Sequence, residues 1–204
     1  MFGAKGDLFF HNPEDFMDNY HIREIADEEF GNLWLGPSKK FFEDESQVFR
    51  LRLALSEEEL ARWEELRAKL GTPIRINLGM YHGEEFIGWC WGYQESAMKF
   101  YMCNSAIFPE HRRKGLYTRL LNEMISRTKA LGFQEVFSRH AATNNAIIIP
   151  KLKAGFKITT LEVTDLFGVC VHLNYYLNPL RTKILDYRVG QIKPDDEIKK
   201  NLGI

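Results

Sequence analysis

The sequence predicts an α/β (α+β) fold, a three-layer α/β sandwich around a mixed, mainly antiparallel sheet. Three observations carry that expectation. Ile74 to Met80 and Phe86 to Tyr93 alternate about His82-Gly83-Glu84 as a hairpin, and Lys99 to Phe108 supplies the next antiparallel strand. Leu116, Leu120, Leu121, Met124, Ile125 and Leu131 recur at helical spacing, with Gly132 as a C-terminal cap. A strand at Glu135 to His140, a short helix ending at Gly155, and strands near Ile158 to Val163 and Val169 to Leu177 follow in order.

Residues 1–19 form an N-terminal extension whose Phe9, Phe10 and Phe16 are apolar enough to dock on the body or on a partner. Residues 20–25 read as a first short strand and Asp27 to Trp34 as a helix. Leu35 to Leu55 is ambiguous: Phe41 and Phe42 precede Glu43, Asp44 and Glu45, which suits either a wall of an acceptor pocket or a surface loop with aromatic anchors. Ser56 and Glu59 make a capping box ahead of the stripe Leu60, Trp63, Leu66 and Leu70, which Gly71 and Pro73 end. Trp89 and Trp91 share one face of their strand, as core residues or as an apolar lining. Pro150 costs little at a helix's first position and about 3 kcal/mol inside one, so the local helix is expected to begin there. Residues 179–204 mix charges with few large apolar groups and read as an arm, an edge strand or a disordered end.

With 204 residues, 45% hydrophobic and 27% charged, the chain can bury one sizeable core, placed at residues 20–178. A net charge of -1 gives no global attraction for nucleic acid or an anionic membrane surface, and no apolar run has the length of a membrane span. Cys90, Cys103 and Cys170 are far apart and odd in number, with neither a disulfide framework nor a zinc spacing. No metal is expected, and free thiols point to a reducing, cytoplasmic setting.

The stretch Ile107 to Tyr117 joins the end of a strand to the start of the amphipathic helix. Unpaired backbone N–H groups and the aligned peptide dipoles favour an anion at such a helix start, and Arg112, Arg113 and Lys114 add full charges. On its own this pattern equally describes a solvated basic turn.

Arg112-Arg113-Lys114-Gly115-Leu116-Tyr117 resembles the Arg/Gln-x-x-Gly-x-Gly/Ala motif of the GNAT superfamily of acyl-CoA-dependent N-acyltransferases. Downstream, Asn144 to Phe156 resembles that family's Asn-x-x-Ala-Ile-x-Leu-Tyr-x-Lys-x-Gly-Phe segment, with Asn144, Ile148, Lys153, Gly155 and Phe156 in register. The firm resemblance covers residues 98–157. It implies a GNAT-like α/β/α sandwich and an acetyl-CoA-dependent N-acetyltransferase, acting on a primary amine of a small molecule or peptide by direct attack in a ternary complex. It also implies that backbone groups of Arg113, Lys114, Gly115, Leu116, Tyr117 and Thr118 receive the CoA pyrophosphate, with Arg112 and Lys114 at the rim. Backbone around Ser105, Ala106 and Ile107 would pair with the pantetheine arm, and Asn144 would hydrogen-bond it or cap the helix.

The sequence departs from the family pattern at two site positions. Tyr117 stands where Gly or Ala is usual, and either crowds the pyrophosphate or points into the core. Lys151 stands where many members carry a Tyr that protonates the leaving thiolate, so Lys151 is the candidate replacement, with Tyr175 and Tyr176 as other sources of a phenol. His140, at the end of its strand, is the candidate base, because imidazole titrates in the useful range; the plain alternative is a structural histidine. The competing function is an inactive CoA-binding or regulatory GNAT-like domain. The apolar run Val169 to Leu177 also suggests pairing with a second copy.

Overall fold

A computed structural model describes residues 19–41 and 51–204. The extension at 1–18 and the segment 42–50, including Phe42 to Glu45, lie outside the described residues. The elements run β1 (Tyr20–Glu24), α1 (Asp27–Phe41), α2 (Leu51–Ala54), α3 (Glu57–Ala68), β2 (Arg75–His82), β3 (Glu85–Gln94), β4 (Lys99–Ile107), α4 (Leu116–Ala130), β5 (Glu135–Ala141), α5 (Asn145–Lys153), β6 (Lys157–Thr164), β7 (Gly168–Tyr176), α6 (Pro179–Arg188) and α7 (Asp196–Leu202). The strands make one sheet in the order β1-β2-β3-β4-β5-β7-β6. Every neighbouring pair is antiparallel except β4 with β5.

The main core lies between the sheet and α4. Leu116, Leu120, Leu121 and Met124 on one stripe of that helix meet Ile76, Leu78 and Met80 of β2, Cys90 of β3 and Phe100 and Met102 of β4. Burying such a stripe is what holds an amphipathic helix in place. The opposite face is covered near β2 and β3 by α1, where Ile25, Phe30, Tyr81 and Trp89 form a second buried cluster. Trp89 is thus a core residue, its Nε1 donating to Asn104 Oδ1 at 2.8 Å. Trp91 packs half-buried against the same cluster under the Arg75 guanidinium, 5.0 Å from its ring.

Several expectations change. The capping box at Ser56 and Glu59 forms as read, yet α3 buries none of its residues: Trp63 is 38% and Leu66 61% exposed, and Leu70 beyond its end is 86% exposed. Its cap and the ion pairs Arg62–Glu58 and Arg52–Glu64, rather than the core, support the helix. Helix α5 starts at Asn145, not at Pro150, which lies inside it. Burial of Ile148 and Lys151 holds the turns on both sides of the proline, whose own carbonyl still accepts from Ala154.

Residues 179–204 are neither an arm nor an edge strand but two helices capped by Asn178 and Asp195. They are tied back by fully buried Ile198 and by Lys157–Asp186 and Arg181–Glu135 at 2.8 and 3.1 Å. Strand β7, which contains most of the run proposed to pair with a second copy, is bonded on both sides by β5 and β6; the edge strands of the sheet are β1 and β6. All three cysteines are free. Among the described residues no helix is long and apolar enough to cross a membrane, and no group of His, Cys, Asp or Glu is placed to hold a metal ion.

Candidate functional site

The site begins where the sheet divides. Parallel pairing of β4 with β5 covers Lys99↔Glu135, Phe100↔Val136 and Tyr101↔Phe137, and then stops. From Met102 on one strand and Ser138 on the other, the two diverge as a fork. The pairing of β4 with β3 shifts by one residue between Trp91 and Gly92, leaving Cys103 as the extra residue of a bulge at the same level. The closed end is clamped: buried Glu135 accepts from Asn174 and meets Arg181 at 3.1 Å and Lys99 at 3.5 Å.

The arm of the fork made by β4 leads through Ser105, Ala106 and Ile107 into a single 3-10 turn at Pro109–His111 and then into the loop before α4. Arg112 Nε donates to Ile107 O at 2.9 Å, bracing the loop against the strand it leaves. Lys114 Nζ donates to Tyr20 Oη at 2.9 Å, and the same hydroxyl meets His111 Nδ1 at 3.1 Å. Arg113 and Gly115 both have left-handed backbones, φ 62° and 74°. Gly115 is the N-cap of α4, and a Cβ there would meet nothing within 4 Å. The first turn of α4 therefore ends in open space, with its backbone donors unused by any side-chain cap.

At the apex of the fork stands Lys151. It is 1% exposed, carried in from α5, and its Nζ donates to Ser138 Oγ at 2.7 Å and contacts Met102 Sδ at 3.4 Å. Those two residues are the first at which β4 and β5 no longer pair with each other, so the amine sits in the crotch between them. His140, the next residue on that face of β5, places Nε2 3.0 Å from the same Ser138 Oγ. Burial pushes Lys151 down from its ordinary 10.5 to about 7, against a smaller upward pull from Cys90. Burial, and then the charge of Lys151, lower His140 to about 3. The imidazole thus stays neutral near pH 7, and the group that titrates there is the lysine. Burial also raises the Cys90 thiol to about 12.

Residues 22–156 match the model of the acetyltransferase (GNAT) family. The chain belongs to that family. A sequence comparison with curated proteins gives no match. Among solved structures, the GNAT fold is shared with the Escherichia coli ribosomal-protein-S18-alanine N-acetyltransferase at a TM-score of 0.53 and 15% identity, over 78% of this chain and 94% of that one. It is shared equally with a GNAT acetyltransferase from Elizabethkingia anophelis with acetyl-CoA bound, at 0.54 and 15%, over 78% and 99%. Arabidopsis thaliana NAA60, solved with a bisubstrate analogue, matches at 0.53 and 15%, over 78% and 98%.

Acetyl-CoA is the acyl donor of GNAT acetyltransferases, and the residues present fit it. The open space over Gly115 admits a phosphate group against backbone. A cleft of about 460 Å³ lies between α4 and α5, lined by Thr118 in the first turn of α4 and by Asn122, Ile149, Pro150, Lys153 and Ala154. Tyr117 does not crowd it: the ring packs on the main core, with its hydroxyl buried beside Ser105 but in no hydrogen bond of ordinary geometry. Asn144 occupies the N-cap position of α5 without a side-chain cap hydrogen bond. Tyr175 and Tyr176 pair with Val136 and Glu135 at the closed end of the fork, and the Tyr175 ring packs on Phe156 at 5.3 Å. Sequence reasoning missed Ser138 and Met102; the signal for Ser138 was its strand spacing of two from His140.

Proposed function

We propose that this GNAT protein transfers an acetyl group from acetyl-CoA to a primary amine of a small molecule or peptide by direct attack in a ternary complex. The observation that carries this reading is the placement of the Lys151 amine between Met102 and Ser138, where β4 and β5 stop pairing with each other. Backbone N–H groups of Arg113 to Thr118 receive the pyrophosphate, favoured by the α4 dipole, and Arg112 and Lys114 hold the loop in shape while adding positive charge. The arm of β4 at Ser105 to Ile107 offers strand-like pairing to the pantetheine, and the uncommitted Asn144 side chain adds a hydrogen bond.

The bound thioester supplies an activated carbonyl and a thiolate leaving group. Lys151 hands that thiolate a proton, replacing the phenol usual in this family; a pKa near 7 lets its amine take up and release that proton at neutral pH. His140 takes the proton of the attacking nitrogen but passes it on rather than keeping it, because its lowered pKa makes the imidazolium short-lived.

Release of free thiol from acetyl-CoA, measured over a panel of polyamines, amino acids and N-terminal peptides, tests the reading. Amine-dependent release supports it. Micromolar binding of acetyl-CoA by calorimetry with no release for any amine refutes transfer and leaves a CoA-binding domain.

A further inference from the structure

Lys151 poses a problem of access. An amine 1% exposed, with no carboxylate paired to it among the described residues, has to lose and regain a proton once per turnover. Its neighbours are Met102 Sδ, the Phe156 ring at 5.1 Å, Cys90 and Ser138 Oγ. A thioether and a ring face carry no proton, and the Cys90 thiol stays neutral, with the buried Tyr117 phenol on α4 as its further neighbour. Ser138 remains. It is itself fully buried, and it also touches His140, which is only partly buried and lies farther along the open fork.

We propose that Ser138 is the relay of a proton circuit, joining His140 to Lys151, so that the base and the acid of the acetyl transfer are two ends of one hydrogen-bonded chain. This rests on the acetyl-transfer reading above. The hydroxyl has one proton to donate, so its two contacts fix each other. With Lys151 as ammonium, Nζ donates to Ser138 Oγ, Oγ–H donates to His140 Nε2, and the ring proton is on Nδ1. With Lys151 as amine the chain reverses: His140 Nε2–H donates to Oγ, Oγ–H donates to Nζ, and Nδ1 is open to accept.

The step balances from that second state. As the C–N bond forms and the C–S bond breaks, the attacking nitrogen gives a proton to Nδ1, Nε2–H moves to Oγ, and Oγ–H moves to Nζ. Nζ in turn delivers one proton to the departing sulfur. The products are the amide and CoA thiol, with the imidazole tautomer inverted; exchange of the partly exposed ring with water resets it.

The experiment uses the full chain with Ser138→Ala, with thermal denaturation as the check on folding. The variant is expected to lower kcat about 100-fold with KM for acetyl-CoA unchanged, and to move the limb of the pH profile set by Lys151 to lower pH, because the ammonium loses its acceptor. A second readout does not need turnover: nitrogen NMR of His140 should show Nδ1–H below the Lys151 midpoint and a shift toward Nε2–H above it, and this coupling should vanish in Ser138→Ala. A His140 tautomer indifferent to Lys151 titration, or a Ser138→Ala enzyme with wild-type kcat, overturns the relay. Absence of transfer by the wild type to every amine instead overturns the reading beneath it, while the tautomer measurement still decides the circuit.

Discussion

Replacing Lys151 by Met keeps the length and most of the volume of the side chain and removes the amine. In the folded protein Lys151 gives up its proton near pH 7, while in the unfolded chain it holds it up to the ordinary 10.5. Throughout that window the unfolded state binds more protons, so stability rises with pH; below the folded value both states are charged and above the unfolded one both are neutral. A shift from 10.5 to about 7 therefore gives the wild type about 2 kcal/mol of extra stability between pH 7 and pH 9, and Lys151→Met none of it. Chemical denaturation of both proteins at several pH values measures this, and ionisation of Cys90, shared by the two, cancels in the difference. The stability gap should favour the variant most at pH 7 and narrow by about 2 kcal/mol at pH 9. Parallel curves would show that the amine is not held in a dry site, and the acid role assigned to it would fall with that result.

Gly115→Asp puts a side chain and a negative charge into the open space over the α4 N-terminus; it should fold, yet bind acetyl-CoA at least about 100-fold more weakly by calorimetry, about 2.7 kcal/mol. Asn144→Ala removes a side chain that makes no cap hydrogen bond, so thermal stability should hold within about 0.5 kcal/mol while KM for acetyl-CoA rises about fivefold, one hydrogen bond's worth. Ile198→Ala empties the one fully buried side chain of α7 and should lower the denaturation free energy by about 2 to 4 kcal/mol.

Much of this fold can be read in the chain because its signals are local. The alternation of Ile74 to Met80 and Phe86 to Tyr93, the box at Ser56 and Glu59, and the glycines at 115 and 132 each act within a few residues, and each element appears within a residue or two of where they put it. The C-terminal helices were hidden because they bury little: one isoleucine and a handful of ion pairs dock them, although Asn178-Pro179 and Asp195 were start signals in plain view. Pro150 misled because its rule is statistical, and packing of Ile148 and Lys151 prevailed over it. The environment of Lys151 was beyond sequence reasoning altogether. The same residue type is far more often solvated, and its partners Ser138 and Met102 lie 13 and 49 residues away, brought to it only by the parallel contact of β4 with β5.

That contact has a mechanical consequence. Among the described residues β4 and β5 pair over only three positions, with Met98 O accepting from Gln134 N and Glu135 N just beyond, so the sheet carries a seam at its middle, secured at one end by the Glu135 cluster. Under heat or load the two halves should part from the mouth toward that clamp. A ligand seated in the fork would span the seam and hold the halves together, so binding there should slow unfolding in proportion to occupancy.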